Sequence, residues 1–204
     1  MPTNGQEIES KFYVRQLAPL EARLLALGAV CIIPRSFEYN LRYDDAQNNL
    51  QRQRQVLRLR QYDDVRLTFK GPGHAIDGAL ARAEIELIVN DFEQAKLLLE
   101  GLGYHIAIIY EKYRAMYELG SALVTLDELP YGKFIEIEAE NPTAIAELAR
   151  QLGLNPARAI PASYQGLFER LKQNRGLTAP HLTFAAFSGL NISPADLDVL
   201  PADD

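Results

Sequence analysis

The sequence predicts an α+β protein: a closed, mainly antiparallel barrel of eight strands with a charged interior and with helices packed outside. Three observations lead to this prediction. Strand-like runs outnumber helical ones and follow one another as hairpins with short connections. Nearly every strand-like run carries charged residues on one side and apolar residues on the other. The charged side consists mostly of Arg and Glu, with few neutral residues.

The eight strand-like runs are mostly rich in β-branched and aromatic residues. They are EIESKFYV, FEYNLRYDD, QVLRLRQYD, VRLTFK, ALARAEIELIV, AIIYEKYRAMYEL, ALVTLDEL and KFIEIEAE. In the first run Glu7, Glu9 and Lys11 point to one side, because alternate residues of a strand share a face. The segment GPGHAIDG between the fourth and fifth runs is typical of a hairpin loop.

Four amphipathic helices are predicted from apolar spacing and end signals. APLEARLLALGA ends at Gly28, and NDFEQAKLLLEGLGY begins after Asp91 as N-cap. NPTAIAELARQLG has Asn141 as N-cap and Pro142 at its first position. SYQGLFERLKQ is the last helix, and Ser163 is predicted to cap it rather than to act in catalysis.

The same alternation places a large set of charged residues on one side of the sheet. They are Arg58, Arg60, Arg66, Lys70, Arg82, Glu84, Glu86, Lys112, Arg114, Asp127, Glu136 and Glu138. Either an open sheet exposes this side to water, or the sheet closes and the charges line its interior. Carboxylates paired at every second position repel one another, and a divalent cation relieves that repulsion. This favours the closed barrel.

A barrel interior that carries both signs of charge is suited to a polyanion together with its metal. Mg²⁺ prefers oxygen ligands and is commonly held by one or two carboxylates plus substrate phosphates. Arg binds phosphate oxygens bidentately, and Lys binds them as a point charge. Arg and Glu could instead neutralise one another, but this carries a large desolvation cost without a gain in stability.

Composition excludes several classes of protein. The 204 residues with 48% hydrophobic content fit one medium domain, predicted at 1–175, followed by an extension at 176–204. A net charge of −6 disfavours a general nucleic-acid coat. Without a long apolar stretch or a basic-then-apolar leader, the chain is expected to be cytoplasmic and not membrane-bound. The single cysteine, Cys31, is predicted to be a buried thiol.

Glu7, Glu9 and Lys11 match the E-x-E-x-K signature of the CYTH superfamily, the triphosphate tunnel metalloenzymes. That superfamily includes class IV adenylate cyclases, thiamine triphosphatases and inorganic triphosphatases. Further blocks resemble the family in the same order, from about Glu7 to Lys172: YDD, LRLRQ, LTFKGPG, RAEIEL, LGYHIAIIYEKYRAMY, VTLDELPYGKFIEIE and SYQGLFERL. Two of these blocks, LGYHIAIIYEKYRAMY and LDELPYGKFIEIE, are most similar to the class IV cyclase-like branch.

The resemblance implies an eight-stranded tunnel that binds a small triphosphate beside Mg²⁺ or Mn²⁺, and a homodimer is expected from the cyclase-like branch. The metal ligands that it implies are Glu7, Glu9, Glu136 and Glu138, with Glu84, Glu86 and Asp127 in or near that shell. The phosphate ligands are Lys11, Arg58, Arg60, Lys70, Arg82, Lys112 and Arg114, with Arg66 as a further candidate. The residues assigned to catalysis are Glu7, Glu9, Lys11 and Lys70.

Divalent-metal-dependent hydrolysis of a small triphosphate, releasing the terminal phosphate, is the predicted reaction. Such a reaction needs positioning and charge neutralisation rather than a covalent nucleophile. Adenylate cyclisation, which makes cyclic AMP and pyrophosphate from ATP, is its closest rival because the same cage serves both reactions. Thiamine triphosphate as the substrate, a non-catalytic polyphosphate or nucleotide sensor, and a plain structural domain are the remaining hypotheses. The paired carboxylates weigh against a sensor, which would be better served by a purely basic interior.

Overall fold

The structure of the protein, a computed structural model, describes residues 6–76 and 79–203, without the side chains of residues 6, 7, 75, 79 and 80. Within these residues the chain forms nine strands and five α-helices. The strands are β1 (Gln6–Val14), β2 (Val30–Asp45), β3 (Val56–Gln61), β4 (Val65–Lys70), β5 (His74–Ile76), β6 (Ala79–Val89), β7 (Tyr104–Leu119), β8 (Ala122–Leu129) and β9 (Gly132–Glu138). The helices are α1 (Ala18–Ala26), α2 (Asn49–Arg52), α3 (Phe92–Gly101), α4 (Pro142–Gln151) and α5 (Tyr164–Arg175).

All the described strands belong to one antiparallel sheet. Its order is β1-β9-β8-β7-β2-β3-β4-β6-β5, and β1 also pairs with β6. Glu9 of β1 lies opposite Glu138 of β9, and Glu7 lies opposite Arg82 of β6. The pairing therefore passes through eight strands and returns to β1, while the short β5 lies beside the end of β6. The predicted α+β class with a mainly antiparallel sheet is confirmed.

Strand β2 begins seven residues before the predicted run FEYNLRYDD, which starts at Phe37. Its first half pairs with β7, and the register shifts twice there, between Cys31 and Ile33 and then between Ile33 and Ser36, across Pro34. Proline lacks the N–H that a regular ladder requires, so this irregularity is expected there. Because β3 pairs only with the second half of β2, the first half is exposed. Cys31 is exposed with it, so the prediction of a buried thiol was wrong.

The helix ends follow the signals in the sequence. Asp91 accepts a hydrogen bond from the backbone N–H of Gln94 at 3.0 Å, and Asn141 accepts one from Ala144 at 2.9 Å. Ser163 accepts one from Gly166 at 3.1 Å, as expected for a cap. Each cap satisfies an N–H that has no partner inside its helix.

The helices cover the apolar side of the sheet and form the core with it. Leu24 of α1 and Leu148 of α4 pack in one cluster with Ile135 and Ile137 of β9. Leu99 of α3 packs in another with side chains of β2 and β3. Since Ile135 and Ile137 lie beneath the helices, the intervening Glu136 points to the other side of the sheet.

Aromatic side chains occupy one end of the side that carries the charges. Tyr13 follows Glu9 and Lys11 in the alternation of β1, and Phe134 precedes Glu136 on β9. Ring centroids are 5.3 Å apart between Tyr13 and Phe134, and 5.2 Å apart between Phe134 and Tyr164, the first residue of α5. The start of α5 is thereby held against this end of the charged face.

The segment after α5 packs back onto the sheet. Leu182 forms a bridge with β7: its N–H donates to the carbonyl of Ile109, and its carbonyl accepts from Glu111, both at 2.9 Å. Near the end of the chain, the N–H of Ala202 donates to the carbonyl of Tyr13 at 2.9 Å. The domain boundary at residue 175 stays a prediction. Of the described helices, none is both long and apolar enough to cross a membrane.

Candidate active site

A continuous band of charged side chains lies on the side of the sheet opposite α1, α3 and α4. Several of its members are buried although they carry charge: Lys11, Glu38, Arg60, Lys70, Lys112, Asp127 and Glu136. Charged residues are almost never fully buried unless they are paired. The band is therefore a built arrangement rather than a water-exposed face.

The first part of the band is centred on Asp127 and Glu136. Lys11 Nζ lies 2.6 Å from Glu136 Oε1, and Arg114 Nη2 lies 2.6 Å from Glu136 Oε2. Arg114 Nε also donates to Asp127 Oδ1 at 2.6 Å, while Lys112 Nζ lies 3.2 Å from Asp127 Oδ2. Two carboxylates thus hold three cations in fixed positions on neighbouring strands.

Tyr164, at the start of α5, completes this part of the band. Its hydroxyl donates to Asp127 Oδ2 at 2.7 Å, and its ring centroid lies 4.3 Å from Lys11 Nζ and 5.3 Å from Lys112 Nζ. Burial raises the pKa of Tyr164, and the charges of Asp127 and Glu136 raise it further. The phenol therefore stays protonated and acts as a donor.

The second part of the band is centred on Glu86 of β6. Glu86 receives Arg66 Nη1 at 2.5 Å and Arg60 Nη2 at 3.3 Å, and the Thr68 hydroxyl donates to it at 3.0 Å. Arg58 Nη2 is 3.9 Å from the same carboxylate. Burial raises the pKa of Glu86, but Arg66 and Arg60 outweigh burial and leave that pKa below its usual value.

The ion pairs keep the buried groups charged. Burial lowers the pKa of Lys11, but the charges of Glu136 and Glu9 outweigh it and the pKa lies above its usual value. Burial raises the pKa of Glu136, yet Lys11 and Arg114 hold this pKa well below its usual value. Both partners are thus ionised at neutral pH.

Glu9 and Glu138 face a small cavity at the end of the band away from α5. The cavity has a volume of about 50 Å³, and Arg114, Thr125 and Glu136 also line it. Among the side chains that the structure describes, no three acidic, histidine or cysteine groups converge as a metal-binding cluster. The side chain of Glu7, a predicted ligand, lies outside the described residues.

The predicted site residues with described side chains lie on the charged side of the sheet. Each predicted phosphate ligand has a carboxylate oxygen within 4 Å: Lys11 with Glu136, Arg58 and Arg60 with Glu86, Lys70 with Glu84, Arg82 with Glu9, and Lys112 and Arg114 with Asp127. Arg66 likewise has carboxylate oxygens within 4 Å, from Asp64 and Glu86. The predicted phosphate and metal ligands therefore interleave along the band rather than forming two separate groups.

The band also contains residues of β2 and β7 that were not predicted. Glu38, Asn40 and Arg42 alternate along β2 and share its charged side, and Tyr110 lies opposite Asn40 on β7. Glu38 is fully buried; its carboxylate lies 3.5 Å from Lys112 Nζ and 3.6 Å from Arg60 Nη1. Asn40 donates to Glu38 at 2.9 Å. The alternation in FEYNLRYDD is the signal that identifies the three β2 residues.

The chain belongs to the CYTH family, since the CYTH domain model matches residues 5–164. Among solved structures it is similar to a Vibrio parahaemolyticus protein described as a "putative adenylate cyclase", at 24% identity and a TM-score of 0.71 over 81% of this chain and 99% of that one. The PH1819 protein of Pyrococcus horikoshii OT3 has 26% identity and a TM-score of 0.65 over 80% of this chain and 98% of that one.

A third structure, from Hippeastrum, is described as a "putative adenylyl cyclase" with a dominant triphosphatase activity. It is 20% identical, with a TM-score of 0.62 over 80% of this chain and 95% of that one. At this identity, and at that of the Vibrio protein, the likeness concerns the fold. No curated protein matches the sequence.

Proposed function

We propose that the ring of eight strands encloses a tunnel in which this protein binds a small triphosphate and hydrolyses it with Mg²⁺ or Mn²⁺. The observation that carries the proposal is the band of buried, paired cations and carboxylates on the enclosed side of the sheet. Salt bridges in a protein interior rarely stabilise it more than apolar packing would. A band of this extent therefore points to a ligand, and CYTH membership supports the same conclusion.

Lys11, Lys112 and Arg114 are the proposed centre of phosphate binding, together with Arg58, Arg60, Lys70 and Arg82. The three central cations are held by Asp127 and Glu136 before any ligand arrives. Preorganised cations cost little reorganisation when charge develops on the transferred phosphoryl group, which is the main source of catalysis in this chemistry. The carboxylates that fix these cations therefore contribute to the rate without contacting phosphate.

Glu9 and Glu138 are the best-placed carboxylates for a divalent cation, with Glu7 and Glu136 completing the proposed set. Glu9 and Glu138 are direct cross-strand partners and line one cavity. Two carboxylates plus phosphate oxygens fit the oxygen ligands that Mg²⁺ prefers. Glu84, Glu86 and Asp127, which are not part of that cavity lining, are proposed to act near the metal rather than on it. When bound, the metal would neutralise charge on the phosphates and polarise them.

The test is the release of orthophosphate and pyrophosphate from tripolyphosphate, ATP and thiamine triphosphate, each with Mg²⁺ or Mn²⁺. Orthophosphate from at least one compound, with none after EDTA, is the expected result. The Glu9→Gln/Glu138→Gln variant should lose activity by at least about a hundredfold with an unchanged circular dichroism spectrum. The control is Glu93→Gln on the exposed surface of α3, where the glutamate pairs with Lys96.

Three results would point to a different function or refute part of the proposal. Pyrophosphate from ATP with an equal amount of cyclic AMP would make the protein an adenylate cyclase. Calorimetric binding of tripolyphosphate without turnover of any compound would make it a sensor. Undiminished turnover in the Glu9→Gln/Glu138→Gln variant would refute the metal assignment. The homodimer stays a prediction, checked by light scattering.

A further inference from the structure

The chain beyond α5 completes the ring of strands beside the first half of β7. Strand β8 pairs with β7 from Tyr113 to Leu119. Ahead of Tyr113, within the described residues, the edge of β7 away from β2 is occupied by residues 181–184, here called the wall segment, rather than by a strand of the ring. The family model ends at Tyr164, so the wall segment is a feature of this chain beyond that model.

Backbone hydrogen bonds join the wall segment to the residues on both sides of Tyr110. The N–H of Leu182 donates to the carbonyl of Ile109, and the carbonyl of Leu182 accepts from the N–H of Glu111, both at 2.9 Å. On the opposite edge of β7, Asn40 of β2 is the direct partner of Tyr110. Strand β7 is therefore held from both sides at Tyr110.

Two side chains strengthen this attachment. The N–H of Ile109 donates to His181 Nδ1 at 3.3 Å. The N–H of Phe184 donates to the carboxylate of Glu111 at 2.9 Å. Glu111 and Tyr110 are neighbours in the strand, so their side chains point to opposite faces of the sheet. The attachment thus acts on Tyr110 through the backbone of β7.

Tyr110 points from β7 into the charged band. It shares a face with Lys112, two residues further along the strand. Its phenol oxygen accepts a hydrogen bond from Arg58 Nη1 at 3.3 Å. The phenol therefore lies between two cations that are proposed to bind phosphate, one on its own strand and one on β3.

The hydroxyl of Tyr110 retains an unused donor. A phenol can both accept and donate, and the contact with Arg58 uses its accepting side. Among the residues that the structure describes, none accepts a hydrogen bond from this hydroxyl. Burial raises the pKa of Tyr110, but the charge of Arg58 outweighs burial and the pKa lies below its usual value. A more acidic hydroxyl is a stronger donor to an anion.

We infer that Tyr110 donates its phenol O–H to a phosphate oxygen of the bound triphosphate, and that the wall segment positions Tyr110 for this contact. The inference rests on the proposed function and adds a residue to the same site. A neutral donor between Lys112 and Arg58 supplies a directed hydrogen bond to the anion without adding to the repulsion among the cations.

The first experiment measures the binding of tripolyphosphate and ATP by calorimetry without metal, and their turnover with Mg²⁺. Tyr110→Phe removes the hydroxyl and keeps the ring. Loss of one hydrogen bond to a charged group should weaken binding about ten- to a hundredfold. The control is Tyr113→Phe, the same change on the opposite face of β7, where the ring packs against Phe37. It should change binding by less than about twofold.

A double-mutant cycle with Arg58→Gln separates contact with the ligand from support of Arg58. If the phenol itself binds phosphate, Tyr110→Phe should still weaken binding at least about fivefold in the Arg58→Gln background. An effect of Tyr110→Phe that disappears in this background would overturn the inference, because Tyr110 would then act only through Arg58.

The wall segment is tested with Glu111→Ala/His181→Ala, which removes both side-chain hydrogen bonds to β7. This variant should weaken binding at least about threefold, but less than about twofold once Tyr110→Phe is present, since both changes act on one contact. Glu111→Gln/His181→Asn keeps an acceptor at each position and should restore most of the binding. The control Arg175→Gln, which removes a pair with Asp196, should bind like wild type. Equal losses with and without Tyr110→Phe would overturn the positioning role.

Comparing binding with turnover keeps the inference separate from the proposed function. If wild type binds either compound through Tyr110 but hydrolyses neither, the proposed hydrolysis fails and the inference holds. If wild type hydrolyses a compound and Tyr110→Phe binds it equally well, the inference alone fails. If wild type binds neither compound, both proposals are refuted.

Discussion

Substituting Glu38 with Gln should destabilise the protein strongly, although Glu38 is not itself proposed to bind phosphate or metal. Its carboxylate lies 3.5 Å from Lys112 and 3.6 Å from Arg60, and the residue is fully buried. At an effective dielectric constant of about 20, each contact corresponds to roughly 4 to 5 kcal/mol of attraction. The desolvation of Glu38, several kcal/mol, offsets part of it. Because Gln has nearly the same shape as Glu, the substitution should lower the free energy of unfolding by about 3 to 5 kcal/mol, through the loss of the charge alone.

The measurement is urea unfolding at several pH values. Burial raises the pKa of Glu38, but Lys112, Arg114 and Arg60 outweigh burial and hold it below the unfolded value. A carboxylate whose pKa is lower in the folded than in the unfolded state stabilises the fold. This stabilisation is complete above the unfolded pKa, about 4.3, and is lost as the pH falls through the folded pKa. The difference in the free energy of unfolding between wild type and Glu38→Gln should therefore be constant from pH 7 to about pH 5 and should shrink below about pH 5.

The matched control is Glu128→Gln, in the more exposed pair with Arg35. Exposed pairs contribute at most about 1 kcal/mol, so this variant should unfold close to wild type. Equal stability of Glu38→Gln and wild type at pH 7 would refute the reasoning, because it would mean that Lys112 and Arg60 need no counter-charge. A difference that grows on acidification would contradict the assigned sign.

Two further predictions concern α5 and the core. Tyr164→Phe removes the hydrogen bond to Asp127 and should lower the free energy of unfolding by about 1 to 3 kcal/mol, since the bond is to a charged group. No change in urea unfolding would show that this hydrogen bond does not hold α5 to the sheet. Leu24→Ala should cost about 2 to 5 kcal/mol because Leu24 is fully buried, whereas Leu25→Ala, at a position 53% exposed, should cost less than about 0.5 kcal/mol. Similar unfolding midpoints for the two leucine variants would contradict the packing of α1 on the sheet.

Alternation and end signals in the sequence account for the strands and for the helix caps. Period-two alternation depends only on the backbone geometry of a strand, which is local. The caps at Asp91 and Asn141 are likewise satisfied within three residues of the chain. Such features can be predicted without knowing which strands are neighbours. The exposure of Cys31 could not be predicted in this way, because it depends on where β3 ends beside β2.

The pairing of charges inside the band depends on which strands are neighbours. Lys11 lies opposite Glu136, and Lys70 opposite Glu84, only because β1 pairs with β9 and β4 with β6 in these registers. Alternation shows that both signs share a side, but a shift of two residues would bring different partners together. The contact of Tyr164 with Asp127 could not be predicted either, because no strand periodicity relates a helix residue to a strand residue.

The ion pairs of the band and a ligand-binding role are compatible. A cage of unpaired buried cations would be unstable without its ligand, because the desolvation cost of each charge is several kcal/mol. Carboxylates such as Glu136 and Asp127 reduce that cost while leaving nitrogen donors of Lys11, Lys112 and Arg114 able to bind further oxygens. The band as a whole therefore predicts phosphate binding.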